Sequence, residues 1–95
     1  MRPELSIAAV RDLDEIWHYV AQDDTRAADR LIDRLLDSVL PLEEFPGMGV
    51  ARDDLLPGLR ALAVESYIVF YGSRPDRVMV ERIFHARLDV KSSHF

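Results

Sequence analysis

The side chains with chemistry to offer lie in the second half of this chain: Arg60, Arg82, His85, Arg87 and Lys91, followed by a terminal aromatic residue, Phe95. Guanidinium groups recognise carboxylates and phosphates through a planar, bidentate fork, and eleven of the twelve basic residues are arginine. An arginine-biased genome would give the same count, and a strand arginine also serves structurally by pairing with neighbours such as Glu65 or Glu81. If Arg60 and Arg82, on strands of one small sheet, converge with His85 and Arg87 at its end, they form one cationic patch. Other chemistries have no residues to carry them. Without cysteine there is no thiolate, disulfide or cysteine metal cluster. His18, His85 and His94 are too far apart for metal-ligand spacing, and no glycine-rich phosphate loop is present, so neither a metal nor a cofactor is expected.

The elements that must position these residues follow from periodicity. Glu4 to Ile7 reads as a short first strand ending at Ser6, a good N-cap. A helix follows, with Val10, Leu13, Ile16, Trp17, Val20 and Ala21 on its apolar side and Arg11, Asp12, Asp14, Glu15 and His18 on its wet side. Asp24 or Thr25 offers a second N-cap. The next helix carries its apolar stripe through Ala28, Leu31, Ile32, Leu35, Leu36, Val39 and Leu40, and Pro41 ends or kinks it. Residues 46 to 58 lose periodicity, and their prolines and glycines mark a loop.

Three strand-like runs come next, Leu59 to Val64, Tyr67 to Tyr71 and Val78 to Phe84, with links short enough for antiparallel neighbours. Alternation along the last run puts Val78, Val80, Arg82 and Phe84 on one face and Met79, Glu81, Ile83 and His85 on the other. The expected fold is a small α+β domain spanning 1–95: an N-terminal strand, a helical hairpin, a three-stranded antiparallel meander and a polar tail at 86–95.

Composition bounds the function. Apolar residues at 48% and charged residues at 31% describe a folded chain. The longest apolar run, Tyr67 to Tyr71, is far short of the ~20 residues of a membrane helix. The first residues lack the apolar stretch of a secretory signal, so a cytoplasmic protein is expected. Residues 1–44 sum to −6 and residues 45–95 to +1. Any basic surface therefore comes from the second half, and direct nucleic-acid binding is not expected of a chain with pI ≈ 5.0. The tail carries Arg87 and Lys91 against Asp89, a local positive balance in an acidic protein.

Six segments in order resemble the ParE branch of the ParE/RelE superfamily of bacterial toxins. They are Asp12 to Tyr19; Ala28 with its following leucines; Pro46-Gly47-Met48-Gly49; Leu55 to Arg60; Tyr67 to Tyr71; and Val78 to Arg87. The resemblance spans about residues 4 to 90 and implies the fold derived above. It also implies a toxin of a type II toxin-antitoxin system, such as those that stabilise plasmids. Such a toxin forms a hetero-oligomer with a ParD-like antitoxin and arrests growth by binding DNA gyrase.

For the RelE branch, which cleaves messenger RNA on the ribosome, the resemblance would make Arg60, Arg82 and His85 the catalytic set. That reaction needs a proton acceptor, cations facing the phosphorane and a proton donor. RelE-like enzymes supply lysines in the loop and a tyrosine in the tail, and this chain has neither. The binding inhibitor is favoured, with Arg60, Arg82, His85, Arg87, Lys91 and Phe95 as target- or antitoxin-facing residues. A degenerate member that binds antitoxin and poisons nothing has the same sequence signature.

Overall fold

Two capped helices and a twisted sheet arise where the periodicity changes from three-and-four to two. The computed structural model describes residues 2–95. The chain runs β1 (Arg2–Leu5), α1 (Ile7–Ala21), α2 (Thr25–Val39), a 3-10 turn (Leu40–Glu43), β2 (Val50–Ala51), β3 (Leu59–Val64), β4 (Tyr67–Ser73), β5 (Arg77–His85) and a last 3-10 turn (Ser92–His94). Ser6 starts α1, its Oγ accepting from the Ala9 N–H at 3.0 Å, and Asp24 starts α2 by accepting from Arg26 and Ala27. Pro41 ends α2 as expected, and the chain tightens into the 3-10 turn.

The sheet has five strands in the order β1-β5-β4-β3-β2. β1 pairs parallel with β5, and the other neighbours are antiparallel. The expected meander of three strands thus gains β2, two residues from the expected loop that pair with Ala61 and Arg60. A strand of two residues shows no alternation, so periodicity has nothing to detect.

One sheet face packs on the helical hairpin through Leu13, Ile16, Leu35, Val39, Val69 and Tyr71. Leu62 and Val64 pack against this helix-side core as well. The opposite face carries Leu59, Phe70 and Phe84, covered by Leu55 from the loop and by Val90 and Phe95 from the tail.

A β-bulge decides which way β5 points its side chains. Phe70 lies opposite Arg82 but Tyr71 lies opposite Val80, which leaves Glu81 as the extra residue. The alternation inverts there. Val78, Val80 and Ile83 all face the helices, whereas Phe84 packs on the other face, as does Arg82 opposite Phe70. The expectation that Val78, Val80, Arg82 and Phe84 share a face fails for this reason.

Candidate functional site

The site grows from the place where β1 stops and β5 continues. β1 ends at Leu5, so β5 beyond Val80 would present unpaired backbone groups. Helix α1 fills that role with side chains. Ser6 donates its Oγ–H to the Glu81 carbonyl at 2.7 Å, and Asp12 Oδ2 accepts the Ile83 N–H at 2.9 Å. The Asp12 carboxylate also takes Arg82 bidentately, Nε at 2.8 Å and Nη2 at 2.9 Å. Asp12 is 7% exposed, where periodicity had assigned it to the wet side of the helix. The signal that finds it is its place in the buried stripe Ala9, Asp12, Leu13 and Ile16, a regular helical spacing of three and four.

Arg82 spends its remaining donors close by. Its Nη1 donates to the His94 carbonyl at 3.0 Å, and its guanidinium carbon lies 4.4 Å from the centre of the Phe84 ring. The hydrogen bond to Asp12, partly offset by burial, raises its pKa further above the ordinary arginine value. Its partner is Asp12 rather than either glutamate suggested by proximity in sequence. Glu81 takes Arg74 at 2.8 Å, and Glu65 takes Arg34.

Arg60 lies elsewhere. It is in register with Tyr71 on the helix side of the sheet, whereas Arg82 is in register with Phe70 on the opposite side. Arg60 Nη1 donates to the carbonyls of Gly49 at 2.7 Å and Gly47 at 3.3 Å. Tyr71 completes that anchor, its hydroxyl accepting from the Gly49 N–H and donating to the Pro46 carbonyl, each at 2.8 Å. A Cβ on Gly49 would meet the Ala61 carbonyl and the Tyr71 ring at 2.8 Å, so the segment approaches the sheet as closely as only glycine permits. Tyr71→Phe leaves the buried Gly49 N–H without its acceptor. The expected cost is about 2 kcal/mol in urea unfolding.

Three of the predicted residues do meet. An open groove of about 650 Å³ between α1 and the end of β5 is lined by Asp12, Glu15, Tyr19, Tyr67, Arg82, His85 and Arg87 among others. The His85 ring sits edge-on to Tyr67 at 5.2 Å, and its Nδ1 accepts the Arg87 N–H at 3.1 Å. That bond uses the Nδ1 lone pair and leaves the proton on Nε2, so neutral His85 is a hydrogen-bond donor at its free nitrogen. Burial, and then the neighbouring Tyr19, raise the Tyr67 pKa. The Tyr67 phenol is therefore neutral near pH 7.

Lys91 and Phe95 lie outside this groove. The Lys91 N–H donates to His94 Nδ1 at 2.8 Å, and the Phe95 ring packs against Phe70 at 5.4 Å and Phe84 at 6.3 Å. Among the described residues no group of three or more histidines and carboxylates stands close enough to hold a metal ion, and no helix is long and apolar enough to cross a membrane.

The comparisons with known proteins agree with the resemblance. The family model for the ParE toxin of the type II toxin-antitoxin system parDE matches residues 4–90. Toxin ParE1 of Caulobacter vibrioides is 35% identical over 95 residues, covering 97% of this chain and 97% of that protein. Toxin ParE3 of the same organism is 30% identical over 80 residues, covering 83% of this chain and 80% of that one. A solved chain of the chromosomal ParDE system from P. aeruginosa superposes with a TM-score of 0.77 at 25% identity, covering 90% of this chain and 95% of its own.

Proposed function

Because this chain belongs to the ParE toxin family of type II toxin-antitoxin systems, we propose that it acts as a binding inhibitor of DNA gyrase and is held inactive by a ParD-like antitoxin. The observation that carries the inhibitor reading is the separation of the two arginines. A phosphoryl-transfer site needs its cations and its proton-transfer group around one reacting phosphate. Here Arg60 and Arg82 face opposite sides of the sheet, and each is committed to carbonyls or a carboxylate. His85 presents a donor in its neutral form, which suits recognition of a partner's acceptor.

Apolar side chains support the antitoxin's part. Ile7 and Val10 on α1, Leu36 on α2, and Leu40, Phe45 and Met48 beyond it are exposed. A stable partner would cover such residues within roughly 1,200–2,000 Å² of total interface. The antitoxin is expected to raise the melting temperature of the purified chain, adding about 4 kcal/mol at a thousandfold excess over its Kd. An isolated chain no less stable than the complex would contradict this.

The deciding experiment is DNA supercoiling by purified gyrase with and without the chain, run beside a ribosome-dependent messenger RNA cleavage assay. Loss of supercoiling that the antitoxin reverses is the expected result. Cleavage of messenger RNA would make the chain an endoribonuclease, and activity in neither assay would make it an antitoxin-binding member without a target. His85→Gln, which keeps an N–H donor and removes the titrating ring, is expected to leave growth arrest intact, since no proton transfer is assigned to His85. A general acid or base would contribute about 10² to 10⁴ in rate, and its loss would be plain in the cleavage assay.

A further inference from the structure

The sheet face away from the helices has an aromatic floor, Phe70 and Phe84, with Leu55 and Leu59 beside it. Its two covers are attached very differently. The loop carrying Leu55 is laced down by backbone bonds, including Arg52 N–H to the Leu59 carbonyl at 2.7 Å and Leu55 N–H to the Arg52 carbonyl at 3.0 Å. Among the described residues, the tail's backbone N–H groups beyond Leu88 bond only within the tail. Among the described hydrogen bonds, the body reaches that stretch through one, from Arg82 Nη1 to the His94 carbonyl. The other attachments are the half-buried Val90 and Phe95 and the contact of the His94 ring with Phe84 at 5.4 Å.

Arg82 is held ready for that bond independently of the tail. Its Nε and Nη2 are fixed on Asp12 and its plane is supported by Phe84, which leaves Nη1 aimed along the edge of the floor. A donor held this way loses little freedom when an acceptor arrives. Such segments, with few bonds to the body, open at low local cost while the strands beneath stay closed.

We propose that this face is a binding site for a polypeptide segment and that the chain's own tail occupies it in cis. The partner segment presents an aromatic side chain to Phe70 and Phe84, the carbonyl of the preceding residue to Arg82 Nη1, and an aliphatic side chain where Val90 lies. The aromatic geometry selects a peptide over a nucleic-acid base. Phe95 meets Phe70 at 70° and Phe84 at 71°, the edge-on insertion of a side chain rather than face-to-face stacking. The chain's net charge of −5 also opposes a phosphate backbone.

A fluorescein-labelled synthetic peptide of residues 86–95, titrated into the full-length chain, tests this by anisotropy. Apparent affinity falls with the fraction of molecules whose site is open, so full-length Phe95→Ala is expected to bind the peptide at least about tenfold more tightly than the unaltered chain. A peptide carrying Phe95→Ala is expected to bind neither protein. Equal binding by the two proteins, or none by either, overturns the proposal. Hydrogen exchange on the unaltered chain decides independently of any variant's folding. Amides of Lys91, His94 and Phe95 are expected to exchange far faster than those of Val69 and Phe70. A tail that exchanges only with global unfolding overturns it.

Discussion

Replacing Asp12 with alanine is expected to cost about 3 kcal/mol, a large share of the ~5–15 kcal/mol that holds a small domain together. The carboxylate serves two groups at once, the guanidinium of Arg82 and the Ile83 N–H on the part of β5 that β1 no longer covers. Removing it strands a partly buried cation and an unpaired backbone donor together. Asp12→Asn keeps an acceptor for Ile83 and loses the charge, so its cost is expected to be smaller. The double variant Asp12→Leu, Arg82→Met removes both charges and recovers part of the loss, because burial of an ion pair contributes little beyond avoiding an unpaired charge. It does not recover all of it, since the Ile83 N–H stays unpaired at about 1–3 kcal/mol. Urea unfolding of the four proteins checks the order. Equal stability of Asp12→Ala and Asp12→Asn would show that the backbone bond contributes nothing.

Asp12 also shows where sequence reading stopped. The helices were legible because their stripes repeat over four turns and because Ser6, Asp24 and Pro41 punctuate them. A polar residue inside a stripe is ambiguous by period alone. Asp12 falls among Ala9, Leu13 and Ile16 and yet reads as wet by its chemistry, because its partner lies seventy residues away on β5.

β5 was legible as a strand but not in its facing, since one extra residue at Glu81 reverses everything after it. Nothing local in the run from Val78 to Phe84 marks the bulge. It becomes visible only when Tyr71 is paired with Val80 and Phe70 with Arg82. The candidate site divides along the same line. Arg82, His85 and Arg87 lie within six residues and converge on the groove, while Arg60 depends on the register of β3 against β4 and ends on the other face.

The tail raises the second large effect. Its composition, two basic residues against one acid and an aromatic end, would suit an arm that reaches a target. In the structure Val90 and Phe95 fold back on the sheet face opposite the helices, and Phe95 packs edge-on against both Phe70 and Phe84. The apolar tip is thereby used within the chain, while Arg87 and Lys91 remain exposed. Deleting residues 88–95 removes two half-buried apolar side chains and the acceptor of Arg82, an expected loss of about 2–3 kcal/mol. For a domain of this length that lowers the melting temperature by on the order of 10–15 °C. The shortened chain is expected to keep the β4 and β5 ladder, because the tail contributes no strand to it, and to bind a hydrophobic dye at the uncovered Phe70 and Phe84. If the tail is a cover, growth arrest at a temperature where the shortened chain is folded persists in proportion to its folded fraction. A shortened chain that folds and binds antitoxin but no longer arrests growth would instead make Lys91 and Phe95 the target contact. The internal packing of Phe95 argues for the first outcome, since a side chain that closes the sheet's second face is free for a target only after that face has been opened.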